Sequence, residues 1–181
     1  MKTSTLTPFL FLTLATSSPL LSPRQRGSLI GTTATEFTSF GCRPIIMLFA
    51  RGSTEPGNMG TICGPPTANG VKAAFGSDAV AVEGIEYGAL LSTNFVRGGA
   101  DPAGVREMQR LIGQAVSQCP ESKLVVGGYS QGAALTHRAV ENLPAAQKEA
   151  IVGAFTFGDT QNEQVSHTTD GGGLWLWLWL V

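Results

Sequence analysis

The sequence predicts an α/β domain built on a mostly parallel sheet, and three observations carry that reading. Short, continuous apolar runs recur at residues 44–50, 79–85, 124–126 and 151–157, each suited to a strand buried on both faces. Between them lie longer segments with apolar residues at helical spacing, clearest in Val105, Met108, Leu111, Ile112, Ala115 and Val116. Strands and helices therefore alternate, which places successive strands in parallel with right-handed crossovers between them. The 181 residues leave room for one such domain with a sizeable core.

Taken in order, residues 1–22 read as a secretory signal. Lys2 supplies a short positive start, and residues 8–15 (PFLFLTLA) form an apolar stretch too short to span a bilayer. Ala15-Thr16-Ser17-Ser18 is a small-residue stretch suited to cleavage. Residues 23–40 mix Ser, Thr, Gly, Pro and Arg with little periodicity and read as a pro-segment or flexible leader. The domain proper runs over 41–164. Its first strand, 44–50, opens into the polar loop Arg51-Gly52-Ser53-Thr54-Glu55-Pro56-Gly57-Asn58 at the strand's C-terminal end, where sites gather in open α/β sheets. A helix is expected over 65–75, with Ala68, Val71, Ala74 and Phe75 on its apolar face. The second strand carries Glu83, a charge out of place in a buried run, so it is expected to end early. Residues 87–99 form a long loop rich in Gly, Ser and Asn that carries Leu90, Leu91 and Phe95. Asp101 as N-cap and Pro102 at the first helical position start the next helix, which Cys119-Pro120 ends.

The chemistry-bearing stretch follows the third strand. Gly128-Tyr129-Ser130-Gln131-Gly132 is an instance of G-x-S-x-G, and Ala133, Ala134, Leu135, Ala139 and Val140 continue it as a helix. Strand, tight turn and helix together form the context in which this motif presents a nucleophilic serine. The turn forces Ser130 into a strained conformation with its hydroxyl outward, and glycines flank it because strand and helix cross closely there. The helix N-terminus behind it offers backbone N–H groups and partial positive charge to a developing oxyanion. The competing reading is a glycine-rich turn with no chemistry.

Composition narrows the remainder. The net charge is −1 with 14% charged residues, which excludes a nucleic-acid or polybasic membrane-surface role. In an exported chain Cys42, Cys63 and Cys119 are expected to be bridged rather than free, yet three is odd and leaves at least one without an intramolecular partner. No C-x-x-C spacing occurs, so a metal cage is not expected, and no cofactor is expected either. After a polar stretch the chain ends in Gly171–Gly173 and LWLWLWLV, which holds all three tryptophans. That run is too short for a membrane span and, being uncharged and apolar, is aggregation-prone.

Several ordered motifs resemble the cutinase family of fungal secreted serine esterases. They are Cys42-Arg43-Pro44, residues 49–55 (FARGSTE), Gly57-Asn58-Met59-Gly60, Asn94 with Arg97-Gly98, Arg106-Glu107-Met108, Cys119-Pro120, residues 127–134 (GGYSQGAA), Phe157-Gly158 and Gln161-Asn162. The resemblance covers about residues 40–164. It implies a compact, lidless α/β-hydrolase-type three-layer sandwich acting as a secreted, extracellular monomer on cutin-type polyesters or short-chain esters. By position, Ser130 is the implied nucleophile. The N–H groups of Gln131 and Ser53, with the Ser53 hydroxyl, form the implied oxyanion hole. Asn94 is implied to orient Ser53, and Cys42–Cys119 to be the first family disulfide. Leu90, Leu91 and Phe95 are expected beside the crevice. An acetyl-xylan-type esterase and a non-catalytic remnant that binds surfaces are the alternatives.

The resemblance stops near Gln164. The family's triad aspartate and histidine have no recognisable counterpart, so the C-terminal part of the fold reads as missing and residues 165–181 as an aberrant tail, from a truncated product or a translated non-coding stretch. His137, seven residues beyond Ser130 and about 10 Å along the same helix, is out of reach of the hydroxyl and reads as a surface residue. His167 follows Asp159 and preserves the order Ser, Asp, His, but lies in the tail, as does Asp170. The literal chain is therefore expected to be weakly active or inactive. Cys63 has no counterpart in the matched motifs.

Overall fold

A computed structural model describes residues 29–161 together with the backbone of Trp177–Leu180. The four apolar runs form the parallel strands β1 (Ile45–Ala50), β2 (Val80–Gly84), β3 (Lys123–Tyr129) and β4 (Ile151–Phe157). The sheet order is β2-β1-β3-β4, with β5 (Trp177–Leu180) paired in parallel outside β4. The helices are α1 (Glu36–Phe40), α2 (Gly64–Phe75), α3 (Pro102–Gln118), α4 (Gln131–Glu141) and the short α5 (Ala145–Glu149).

Strand alternation builds a core on each face of the sheet. Ile46, Leu48 and Ala50 of β1 join Met108, Leu111 and Ile112 of α3 and Leu135 and Ala139 of α4. Met47 and Phe49 pack on the opposite face with Met59, Ala68, Val80 and Val82. The architecture is thus the three-layer α/β arrangement, with α3 and α4 on one side and α2 on the other. Asp101 caps α3 as expected, its side chain accepting from Ala103 N at 2.8 Å. The predicted α3 stripe is buried at Met108, Leu111, Ile112 and Ala115, with Val105 and Val116 partly buried against it.

Four expectations are corrected. Residues 29–40 were read within a flexible leader, yet they form a packed strap. Ile30, Ala34 and Phe37 are buried, and Asn69 makes two hydrogen bonds to the Ile30 backbone. Second, β2 continues through Glu83, whose carboxylate accepts from Thr38 N at 3.0 Å and Thr38 Oγ1 at 2.8 Å. Burial pushes the Glu83 carboxyl above its ordinary value, while the Thr38 bonds pull against that shift. Third, the apolar face expected on α2 is buried only in part: Ala68 is buried and Val71 packs against the core, while Ala74 is exposed. Phe75 is exposed and Lys72 is buried, because Glu36 of the strap supplies it a partner at 2.8 Å. Fourth, residues 177–180 were read within an aberrant tail outside the fold, but their backbone pairs with β4 from Ala154 to Phe157. Their two-residue Leu/Trp alternation suits a strand, and β4 offers an edge.

Cys42 and Cys119 are disulfide-bonded, with Cα atoms 5.4 Å apart, tying the approach to β1 to the C-cap of α3. Cys63 is a free thiol.

Candidate active site

Ser130 sits at the turn from β3 into α4 with φ 54° and ψ −116°. A non-glycine residue in this region costs of order 1–3 kcal/mol, so surrounding structure must hold it. Ser130 N donates to Phe157 O at 2.9 Å, and Ser130 O accepts from Ala133 N at 2.9 Å. The flanking glycines are required by close backbone approach. A Cβ at Gly128 would strike the Gly132 carbonyl, and one at Gly132 would strike the carbonyls of Ala50 and Arg51. The turn is therefore wedged against the end of β1, which carries the second part of the site.

That part is the loop after β1. Asn94 Nδ2 donates to Ser53 Oγ at 2.9 Å, and Asn94 Oδ1 accepts from Gln131 Nε2 at 2.8 Å. Gln131 Nε2 also donates to Leu90 O at 2.9 Å. One polar chain thus links Ser53, Asn94 and Gln131, and Gln131 is the residue next to Ser130. The amides on either side of Ser53 have acceptors: Gly52 N donates to Glu55 Oε2 at 2.7 Å and Thr54 N to Ala89 O at 2.8 Å. Among the described residues, the N–H groups of Ser53 and Gln131 have no acceptor, which leaves both available to an anion. Arg51 braces the same loop, donating to Glu55 O at 2.7 Å and Tyr87 O at 2.8 Å and lying over the Tyr87 ring. The Tyr87 hydroxyl donates in return to Arg51 O. Burial pushes that phenol above its ordinary range, while the Arg51 charge opposes the shift.

Beside this cluster the 3₁₀ turn Leu91–Phe95 presents apolar side chains to solvent. Leu90, Leu91 and Phe95 are 58%, 61% and 86% exposed, so they form an apolar rim anchored to the polar site through Leu90 O.

His137 is not the surface residue expected from sequence. Its Nε2 lies 2.7 Å from Asp159 Oδ2, and both side chains are only 3% exposed. The bend at Gly158 returns the chain over α4 and brings Asp159 to it. Burial would raise the Asp159 carboxyl. Hydrogen bonds from His137 and Gln161 N, the His137 charge and the Thr156 hydroxyl outweigh it and hold the group below its ordinary value. His167 and Asp170 lie outside the described residues. Among the described residues no group of three His, Cys, Asp or Glu could hold a metal ion. Cys63 is half-buried, its thiol raised by burial and then by the nearby Glu55 charge. The bracing by Glu55 and the His137–Asp159 pair escaped the sequence reading, since neither belongs to a spacing pattern.

Comparison with known proteins decides the family. The cutinase family model matches residues 41–171. The chain belongs to the cutinase family. Cutinase CUT2 of Pyricularia oryzae is 49% identical over 158 residues, which are 87% of this chain and 70% of that protein. Cutinase 1 of Fusarium vanettenii is 42% identical, covering 83% and 67%. Among solved structures, Trichoderma reesei cutinase in complex with a phosphonate inhibitor aligns with a TM-score of 0.66 and 34% identity, covering 75% of this chain. The chain spans 58% of that cutinase. An acetylxylan esterase aligns at TM-score 0.51 and 24% identity, with 65% and 64% of the two chains covered, which bears on the fold alone. Cutinases are ester hydrolases, and the disulfide suits the oxidising compartments in which secreted members work. Among the described residues, no helix is long and apolar enough to cross a membrane.

Proposed function

We propose that this chain is a secreted serine esterase that acts on cutin-type polyesters or short-chain esters through an acyl-enzyme on Ser130. The observation that carries the reading is Ser130 at positive φ between β3 and α4, with the Ser53–Asn94–Gln131 chain beside it. In this reading Ser130 Oγ attacks the ester carbonyl. The N–H groups of Ser53 and Gln131, with the Ser53 hydroxyl, receive the charge that develops on the carbonyl oxygen. The C–O bond to the alcohol breaks, the proton given up by Ser130 Oγ ends on the departing alcohol, and water then attacks the acyl-enzyme to release the acid and restore the hydroxyl. Asn94 holds the Ser53 hydroxyl toward this task, and the rim of Leu90, Leu91 and Phe95 receives the acyl chain. The monomer is the working unit.

The test is hydrolysis of p-nitrophenyl butyrate by the chain and by Ser130→Ala. Turnover that disappears with Ser130→Ala is expected; equal rates from the two proteins overturn the assignment.

One observation favours a second reading, in which the crevice binds esters or surfaces without turnover. A serine hydroxyl needs a base, and the His137 imidazole is committed to Asp159 inside the domain. Polyester binding that survives Ser130→Ala, with no Ser130-dependent hydrolysis, supports this reading over the first.

A further inference from the structure

The loop 52–62 is folded around one carboxylate. Glu55 Oε2 accepts from Gly52 N at 2.7 Å, and Oε1 accepts from Thr61 N and Ile62 N, both at 2.9 Å. Gly60, at φ 72°, passes so close that a Cβ there would overlap the carboxylate. The far side of the loop is clamped to the strap. Thr32 O accepts from Asn58 N at 3.1 Å and Met59 N at 2.9 Å, while the Asn58 side chain bonds both Ala34 N and Ala34 O. Ser53 is therefore suspended between fixed points: Glu55 holds the amide before it, and Ala89 O holds the amide after it.

We propose that Glu55 is a positioning residue for ester hydrolysis, its carboxylate fixing the Arg51–Gly52 peptide and so the orientation of the next peptide, whose Ser53 N–H stays directed at the reacting oxygen. The proposal rests on the esterase reading above. A carboxylate suits the task because it accepts on both oxygens and donates on neither. A glutamine has one acceptor and one NH₂ group. Whichever way it turns, the NH₂ opposes either the Gly52 N–H or the Thr61 and Ile62 N–H groups. Glu55 touches no reacting atom, so its effect is confined to the geometry of a donor that matters most in the transition state.

The experiment compares the full chain with Glu55→Gln and Glu55→Asp on p-nitrophenyl butyrate, against Ser130→Ala as background. Removing an oxyanion donor outright costs about 10²–10³ in kcat, and misplacing one is expected to cost about 10- to 100-fold. Glu55→Gln should therefore lose that factor in kcat with KM within about twofold. Glu55→Asp should recover part of the rate, because it keeps two acceptor oxygens. A KM effect alone, or an unchanged kcat, overturns the proposal. Absence of Ser130-dependent turnover in the unaltered chain defeats the esterase reading instead. The positioning claim is then decided by amide hydrogen exchange. Glu55→Gln should speed exchange at Gly52 and Ser53 at least about tenfold while leaving β3 unchanged, and unaltered exchange at those amides overturns it.

Discussion

The His137–Asp159 pair can be tested by Asp159→Asn. The carboxylate accepts from His137 and Thr156 on Oδ2 and from Gln161 N on Oδ1. An asparagine oxygen can serve only one of those sides. Facing His137, it leaves its NH₂ against the Gln161 N–H; reversed, it leaves the NH₂ against His137 and Thr156. An unsatisfied buried donor costs about 1–3 kcal/mol, and the lost charge adds to it, so about 3 kcal/mol is expected. For a domain of this size that is a fall in Tm of about 6–12 °C. The pH dependence has a definite sign. The Asp159 carboxyl lies below its ordinary value in the folded state. Its contribution is therefore fully present above the unfolded carboxyl pKa of about 3.9, and is lost as pH falls through the folded value. Urea unfolding at a series of pH values should show the full gap between the two proteins from pH 7 to 5, closing below about pH 4. A gap under about 0.5 kcal/mol at pH 7, or one that stays constant down to pH 3, would refute the account.

Replacing Cys42 and Cys119 by serine opens a crosslink spanning 77 residues, worth about 4–5 kcal/mol by chain entropy. Calorimetry should register a Tm lower by about 10–15 °C, and a drop below about 3 °C would contradict the calculation. Gly132→Ala drives a methyl into the carbonyls of Ala50 and Arg51 and should cost more than about 3 kcal/mol in urea unfolding; near-native stability would mean that α4 and β1 are less closely apposed. Asn94→Ala frees the Ser53 hydroxyl and leaves Gln131 Nε2 with Leu90 O alone. It should lower kcat on p-nitrophenyl butyrate about tenfold and stability by about 1–2 kcal/mol, and an unchanged kcat would remove Asn94 from the site.

The parts legible in the sequence are those fixed by local constraint. The strands at 45–50 and 151–157 are continuous apolar runs, because a strand covered on both faces has no polar side to display. The start of α3 was legible because Asp101 and Pro102 each satisfy a rule about one helix end. The turn at Ser130 was legible for a related reason. Two glycines at fixed offsets mark where backbone crosses backbone, and the clashes at Gly128 and Gly132 are with main-chain atoms.

The parts that were not legible are polar residues whose partners arrive from far along the chain. Glu83 argued for an early end to its strand because donors to its carboxylate were sought within the strand alone, yet Thr38 reaches it across 45 positions. Lys72 is buried on α2, which no local pattern announces, because Glu36 of the strap meets it. His137 looked solvent-facing because a histidine seven residues into a helix has no local reason to be buried, and its reason is the return of the chain at Gly158. In each case burial of a charge is tolerable only with a partner, so the element and its distant partner must form together. This bears on the site as well as the fold. The strap that carries Glu36 and Thr38 also supplies Thr32 and Ala34 to the loop holding Ser53. Loosening those residues should therefore disturb the candidate oxyanion donors before it disturbs the elbow, since Ser130 is held by β4 through Phe157 O and not by the strap.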